Sequence, residues 1–429
     1  MREKGVKIMH KLDVLGNGLK VAAYPMNHME SIALGIWIRA GGRYETPENS
    51  GISHLLEHLL FKGTKKRDMK TIKEEIEGRG GSFNGFTAEE FTCYLVKLLA
   101  KDAELGVDIL SDMVMNPRLD EEEMKKEKSV IIEEINMYKD IPAHYVHEIL
   151  AEMMWPGQPL GMPLAGTAES VTSITKEAIA SYKGHHYNPK NILVIGVGHV
   201  QEEYLKGLAE KYISKAPSGA VSQFKKALVS QKEPVVKVHS KDTEQTHLAI
   251  GIHSLNRFHP DKYILSILNI ILGANMSSRL FHIVRDEMAL CYEISSSVRK
   301  YEDSGAVVIS AGVDEKKLVK ATETILKQIE RLKNEPVGAD ELRRAKEYYK
   351  GQLLFALEDT MSHMLWLGEK LAAGEKDFSV KSILERIDSV GPDELMRVAG
   401  DVFKNENLNL AVIGPIKKDS AVKEAFRLG

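Results

Sequence analysis

One long internal repeat limits what this chain can fold into. The strand-like run Asn191-Ile-Leu-Val-Ile-Gly196 returns as Asn407-Leu-Asn-Leu-Ala-Val-Ile-Gly414, and the segments before the two runs match in order. Residues 10 to 40 read as strands, with Gly16-Asn17-Gly18 as a hairpin turn and Ser31 to Arg39 rich in strand formers; Val235 to His239 and Thr246 to Ile252 replay them. A helix ended by Gly63 and entered through Pro47-Glu-Asn-Ser50 has its counterpart in Asp261 to Leu272. The strand pair Ser82 to Thr87 and Glu90 to Val96 has its counterpart in Tyr292 to Val298 and Ala306 to Ala311. Helices from Lys101 to Met115 and from Asp120 onward match those from Val313 to Leu332 and from Asp340 onward. A period of about 215 residues is far beyond any solenoid repeat, so the pattern is that of a duplicated domain. Lys215-Ala-Pro-Ser-Gly-Ala220 and the polar residues up to Glu233-Pro234 make the best linker. The expected organisation is a domain over 1–215, a linker over 216–234 and a homologous domain over 235–429.

At 429 residues each copy is long enough to bury its own core. With 58 basic and 61 acidic side chains and a net charge of -3, nothing argues for nucleic acid or a membrane surface as partner. No apolar run approaches the roughly 20 residues of a membrane span. The start has neither a signal-peptide core nor the character of a transit peptide, so a cytoplasmic location is the expectation. Cys93 and Cys291, one in each half, provide no disulfide framework and no cysteine-based metal site, and read as packed free thiols.

The two copies differ at His54-Leu-Leu-Glu-His58, which only the first contains. On a helix the two histidines lie one turn apart and Glu57 joins them on the same side, while Ile52, Leu55, Leu56 and Leu59 fall on the opposite face. Two imidazoles so spaced can ligate a tetrahedral zinc ion, and a carboxylate beside them is placed to take a proton from water activated there. The order is that of the inverted zinc-peptidase motif. The plain alternative is the wet face of an amphipathic helix.

The helix opened by Asp120, with Glu123 as its capping-box partner, holds a second signal. Met124, Val130, Ile131 and Tyr138 mark one face, and Glu127 and Glu134 fall within it. Carboxylates on an apolar face need partners, which a metal ion or ordinary salt bridges to Lys125 or Lys128 would supply.

Taken together, GISHLLEHLLFKGT, GGSFNGFTAEEFTCY, KEKSVIIEEINMYKD, PLAGTAESVTSIT, YNPKNILVIGVG and MSSRLFHIVRDEMALCYEI resemble the pitrilysin/insulinase family of zinc peptidases. The likeness is nearest to the two-domain branch of mitochondrial-processing-peptidase type and covers essentially the whole chain. With the duplicated order of elements, the expected fold is α+β: two homologous domains in tandem, each a mostly antiparallel mixed sheet with helices packed on one face. The resemblance implies one zinc per chain on His54, His58 and Glu134, with Glu57 as general base and Glu127 as a supporting carboxylate. It also implies that Asn84, Gly85 and Phe86 form an edge strand on which substrate is held as an added strand. Arg285 and Tyr292 match a pair that the family brings to the scissile carbonyl. Where that stretch should carry Gly-Leu-x-Tyr, this chain has Ala289-Leu290-Cys291-Tyr292, and an alanine does not easily take a positive φ.

The activity so implied is endopeptidase cleavage of unfolded peptides in a closed chamber. In two-domain members the facing half of the chamber belongs to another subunit, so a homodimer with sites completed in trans is the expected partnership. The rival expectation is a non-catalytic or partner-dependent, substrate-holding subunit of a processing-peptidase-like complex.

Overall fold

The structure, a computed structural model, describes residues 11–214, 216–376 and 378–429. The leading segment, including His10 of the expected opening strands, and Lys215 of the expected linker lie outside them. In chain order the first half runs β1 (Lys11–Val14), β2 (Lys20–Pro25), β3 (Ser31–Ile38), α1 (Ile52–Leu60), α2 (Met69–Glu77), β4 (Ser82–Thr87), β5 (Thr92–Leu99), α3 (Ala103–Met115), α4 (Glu121–Asp140), α5 (Pro142–Met154), α6 (Ala168–Ser173), α7 (Lys176–His186), β6 (Ile192–Gly198) and α8 (Glu202–Ile213). The second half follows with β7 (Val235–Ser240), β8 (Thr246–His253), α9 (Lys262–Leu272), β9 (Cys291–Lys300), β10 (Gly305–Val313), α10 (Leu318–Asn334), α11 (Ala339–Glu358), α12 (Thr360–Ala372), α13 (Val380–Ser389), α14 (Pro392–Val402), β11 (Leu408–Gly414) and α15 (Ser420–Ala425).

The repeat read from the sequence is a repeat of topology. One sheet has the order β1-β2-β6-β3-β5-β4 and the other β7-β11-β8-β10-β9. Leaving out β1, the strands correspond one to one. Each sheet holds a single parallel pair, β2 with β6 and β7 with β11, among antiparallel neighbours.

The compact units draw on both halves of the chain rather than on the contiguous stretches 1–215 and 235–429. The first comprises the chain up to Ile135, Pro163–Lys225 and Leu354–Val380; the second comprises Asn136–Met162, Lys226–Leu353 and Lys381–Gly429. Helix α12 therefore belongs to the first unit and α5 to the second. In the first, Ile32, Leu34, Ile36 and Ile38 of β3 pack under the layer that contains α1, α3 and α7. The alternate residues Gly35 and Trp37 point the other way, against α12: a Cβ at Gly35 would drive into the Met364 sulfur. In the second, Ala249 and Gly251 of β8 meet α5, where a Cβ at Gly251 would strike the Met154 sulfur. To the expected layer of helices on one face, each unit thus adds one helix on the other, admitted by a glycine in the central strand.

The described residues between α8 and β7 lack helix and strand but are tied down. Ser222 N donates to Asn191 Oδ1 at 2.7 Å and its hydroxyl bonds His186 Nδ1 at 2.7 Å. Phe224 lies under the Arg43 guanidinium, 3.8 Å from ring centroid to Cζ, and Arg43 also pairs with the buried Glu90 at 2.8 Å. From Ala227 on, the chain bonds within the second unit, its N–H reaching Asp303 Oδ2 at 2.8 Å. Both cysteines are free and buried.

Candidate metal centre

Helix α1 buries Ile52, Leu55, Leu56, Leu59 and Leu60 in the core of the first unit, which leaves His54, Glu57 and His58 on the far face. Its start differs from the expected one. Thr46 and Asn49 cap a short 3-10 turn, while α1 begins after Gly51, whose φ of 89° suits only glycine well. The open N–H groups go to a distant carboxylate: Glu45 accepts from Gly51 N at 2.7 Å and Ser53 N at 2.9 Å. Burial pushes the Glu45 carboxyl up to about 7, against the pull of those bonds. The helix ends at Leu60, short of Gly63.

Helix α4 brings in the carboxylates. Asp120 caps it by accepting from Glu122 N at 3.0 Å and Glu123 N at 3.1 Å. Glu123 itself turns outward to Lys126, so the return half of the capping box gives way to an ion pair. The buried face is Glu127, Ile131 and Ile135; Val130, expected on that face, is half exposed. Positions 127, 131, 134 and 135 are spaced i, i+4, i+7 and i+8, and this face is the one that aims Glu127 and Glu134 at α1. Neither carboxylate uses Lys125 or Lys128: Lys125 pairs with Glu122, and Lys128 donates to the carbonyls of Thr172 and Ile174.

His54, His58 and Glu134 converge, with one donor atom from each lying within 4.8 Å of the other two. Both Nε2 atoms are 3.8 Å from Glu134 Oε2. Ligands of a tetrahedral zinc with bonds of about 2.0–2.2 Å lie slightly closer than this, so small rotations complete the fit. Burial and the neighbouring His58 hold His54 down at about 4, so it is neutral at pH 7, the form a metal ligand requires. His58 turns its other nitrogen, Nδ1, to Glu127 Oε2 at 3.0 Å, and Lys62 Nζ reaches Glu127 Oε1 at 2.6 Å. Such an outer carboxylate fixes the ring orientation and tautomer of a ligating histidine. The donor set of two imidazoles and one carboxylate, with a carboxylate behind one imidazole, suits zinc.

Glu57 is buried beside this triad. Its Oε2 accepts from the Thr87 hydroxyl at 2.6 Å. Burial raises its carboxyl above the ordinary range; the Thr87 bond and His58 pull it down, and Glu134 pushes it up.

Strand β4 is an edge strand, as expected for Asn84, Gly85 and Phe86. Phe86 stands edge-on to Trp37, with ring centroids 5.6 Å apart, and Gly85 N–H is taken by the Asn84 side-chain oxygen at 2.8 Å. Arg285 and Tyr292 come together in the second unit. Arg285 lies on a π-helical turn, Phe281–Glu287, and its Nε donates to Tyr292 O at 2.8 Å. Its guanidinium also meets Asp286 at 2.9 Å and the Phe281 ring at 4.4 Å, and the Tyr292 side chain is 79% exposed. Ala289 does adopt the left-handed conformation, with φ 48°, and so takes the role of the missing glycine at a cost.

Sequence reasoning missed Glu45, Lys62 and Thr87. Glu45 caps across eight residues rather than three, outside any local capping pattern. Lys62 sits one helical turn after His58, a spacing that could have flagged it. Thr87 reaches Glu57 only because β4 packs on α1, and local spacing carries no trace of that.

Fold and donor set together define a two-domain scaffold with one candidate metal site on an inverted helix motif. Family models match the chain as Insulinase (Peptidase family M16) over residues 21–168 and as Peptidase M16 inactive domain over residues 173–349. The chain belongs to the M16 insulinase family. It is 35% identical over 399 residues to an uncharacterized zinc protease, YmxG, of Bacillus subtilis, covering 93% of this chain and 97% of that one. It is 32% identical to an uncharacterized zinc protease of Streptomyces coelicolor, covering 99% and 93%. Among solved structures, a protease from Helicobacter pylori superposes with a TM-score of 0.89 at 22% identity, over 95% of this chain and 99% of that one. No described helix is long and apolar enough to cross a membrane.

Proposed function

We propose that this chain is a zinc-dependent endopeptidase that hydrolyses unfolded peptides, with one zinc per chain. The carrying observation is the convergence of His54, His58 and Glu134 with Glu57 at their side. Zinc bound there would polarise the scissile carbonyl and lower the pKa of water toward 7. Glu57 takes the proton of the attacking water and delivers it to the leaving amine nitrogen. Glu127 keeps the His58 ring oriented from its Nδ1 side. Asn84, Gly85 and Phe86 hold the peptide as an added strand at the edge of the sheet, a mode that demands an unfolded segment and little particular sequence. Arg285 and Tyr292 donate to the oxyanion from the facing half of a closed chamber, supplied by a second copy of the chain.

A mixed pool of unstructured peptides, read by mass spectrometry with wild type and Glu57→Gln side by side, tests this reading. Cleavage by the wild type alone is expected. If neither protein cuts while zinc is bound and the fold is intact, the chain is a substrate-holding subunit or needs a different partner. Mixing Glu57→Gln with Arg285→Ala chains should restore part of the activity; no recovery despite subunit exchange contradicts completion in trans.

A further inference from the structure

Strand β4 faces α1 with every second residue, and these positions do different work from Asn84 and Phe86 between them. Phe83 meets Phe61 at the end of α1, with ring centroids 5.7 Å apart. Gly85 lies beneath the same ring and beneath Glu57: a Cβ there would stand 2.9 Å from Phe61 and 3.2 Å from Glu57 Oε1. Thr87 donates its hydroxyl to Glu57 Oε2 at 2.6 Å. One oxygen of the carboxylate is thus fastened, and the other lies over a strand position with no side chain.

We infer that Thr87 is a positioning residue for Glu57 and that Gly85 provides the clearance in which the free oxygen works. The inference rests on the peptidase reading and deepens it. A general base must present a chosen lone pair within hydrogen-bond reach of the proton it removes, and a free carboxylate rotates about its last bond. Fastening Oε2 to the strand removes that freedom and leaves Oε1 as the proton acceptor. Because Thr87 ends the edge strand proposed to hold the peptide, one strand sets the register of the substrate and the orientation of the base. Relative placement of the two is then a property of β4 and does not depend on a loop.

The test is Thr87→Val in the full chain, a change that keeps shape and removes the donor, with Thr87→Ser as the conservative partner. On a fluorogenic unstructured peptide, Thr87→Val is expected to lower kcat by about 10- to 100-fold with KM within about twofold, since misalignment rather than binding is affected. Zinc content should be unchanged, and Thr87→Ser should recover most of the loss. Gly85→Ala, whose Cβ would stand 3.2 Å from Glu57 Oε1, is expected to lower kcat as well, and wild-type kcat in that variant overturns the clearance role. Crystal structures of metal-free wild type and Thr87→Val give a readout independent of turnover: the Glu57 carboxylate should be rotated away from its wild-type orientation in the variant. Wild-type kcat in Thr87→Val, a loss confined to KM, or an unchanged Glu57 carboxylate overturns the inference. If the wild type cleaves nothing, the peptidase reading fails by itself, and the Glu57 orientation still decides the positioning claim. Should Thr87→Val not fold, Thr87→Ala gives the same comparison.

Discussion

The two units are built on one sheet topology and differ in what they place on it. Helix α1 spends one face on the core and leaves two histidines and a glutamate on the other. Its counterpart α9 buries Tyr263, Ile264, Leu265, Ile267, Leu268, Ile270, Ile271 and Leu272, and its polar positions, Lys262, Ser266 and Asn269, include no histidine or carboxylate to ligate a metal. The edge strands differ as well. β4 is six residues long and carries Gly85 and Thr87 toward α1, while β9 is ten residues long, follows the π-helical turn that bears Arg285, and presents Tyr292 to solvent. The scaffold thus occurs twice, and among the described residues only the first copy brings a His/Glu cluster together, from α1 and α4.

The contrast is sharpest in its metal and can be broken there. His58→Ala is expected to abolish both stoichiometric zinc and cleavage. Arg285→Ala should keep the zinc and lower kcat by about 100-fold, the scale of a lost oxyanion donor. Metal analysis beside peptide kinetics separates the two outcomes, and zinc loss in Arg285→Ala would erase the distinction between the units.

Toward acid the two units are expected to respond alike. His186 in the first and His253 in the second are both buried, and burial is the leading cause that holds each imidazole at about 4. The unfolded chain binds these protons at the ordinary value near 6.5. The stability each contributes is therefore present above that pH and is lost as pH falls from about 6.5 toward 4, by up to about 3 kcal/mol per group. His253→Phe should flatten the pH dependence of unfolding in urea over this window. An unchanged slope contradicts the assignment.

Smallest is the effect at Ala289. Its φ of 48° costs an alanine about 1 kcal/mol relative to glycine. Ala289→Gly should raise the unfolding free energy by less than that, because glycine also loosens the unfolded chain. A drop in stability would contradict the strain.

Much of this comparison was legible before the structure. The repeat announced two equivalent sheets because strand patterns and turn residues are local, and the His-x-x-Glu-His string announced the ligand face because helical spacing is local. The rest was not local. Helix α12 lies on the first sheet and α5 on the second, and nothing in their amphipathic patterns says which sheet each covers. Val130 lies one turn before Glu134 on the same side of α4, yet it is half exposed, because burial there depends on where α1 stands. Glu45 and Thr87 act through contacts eight and thirty residues away in sequence. For Ala289, the sequence rule weighed the cost of a left-handed alanine correctly but not the surrounding turn that imposes it.

The most direct measurement is the zinc content of the full chain after loading and dialysis, with the site located by anomalous scattering at the zinc edge. The account predicts one zinc per chain, bound by His54, His58 and Glu134, retained in Tyr292→Phe and absent in His58→Ala. A zinc-loaded wild type that holds none, or a His58→Ala chain that still holds one, would contradict it.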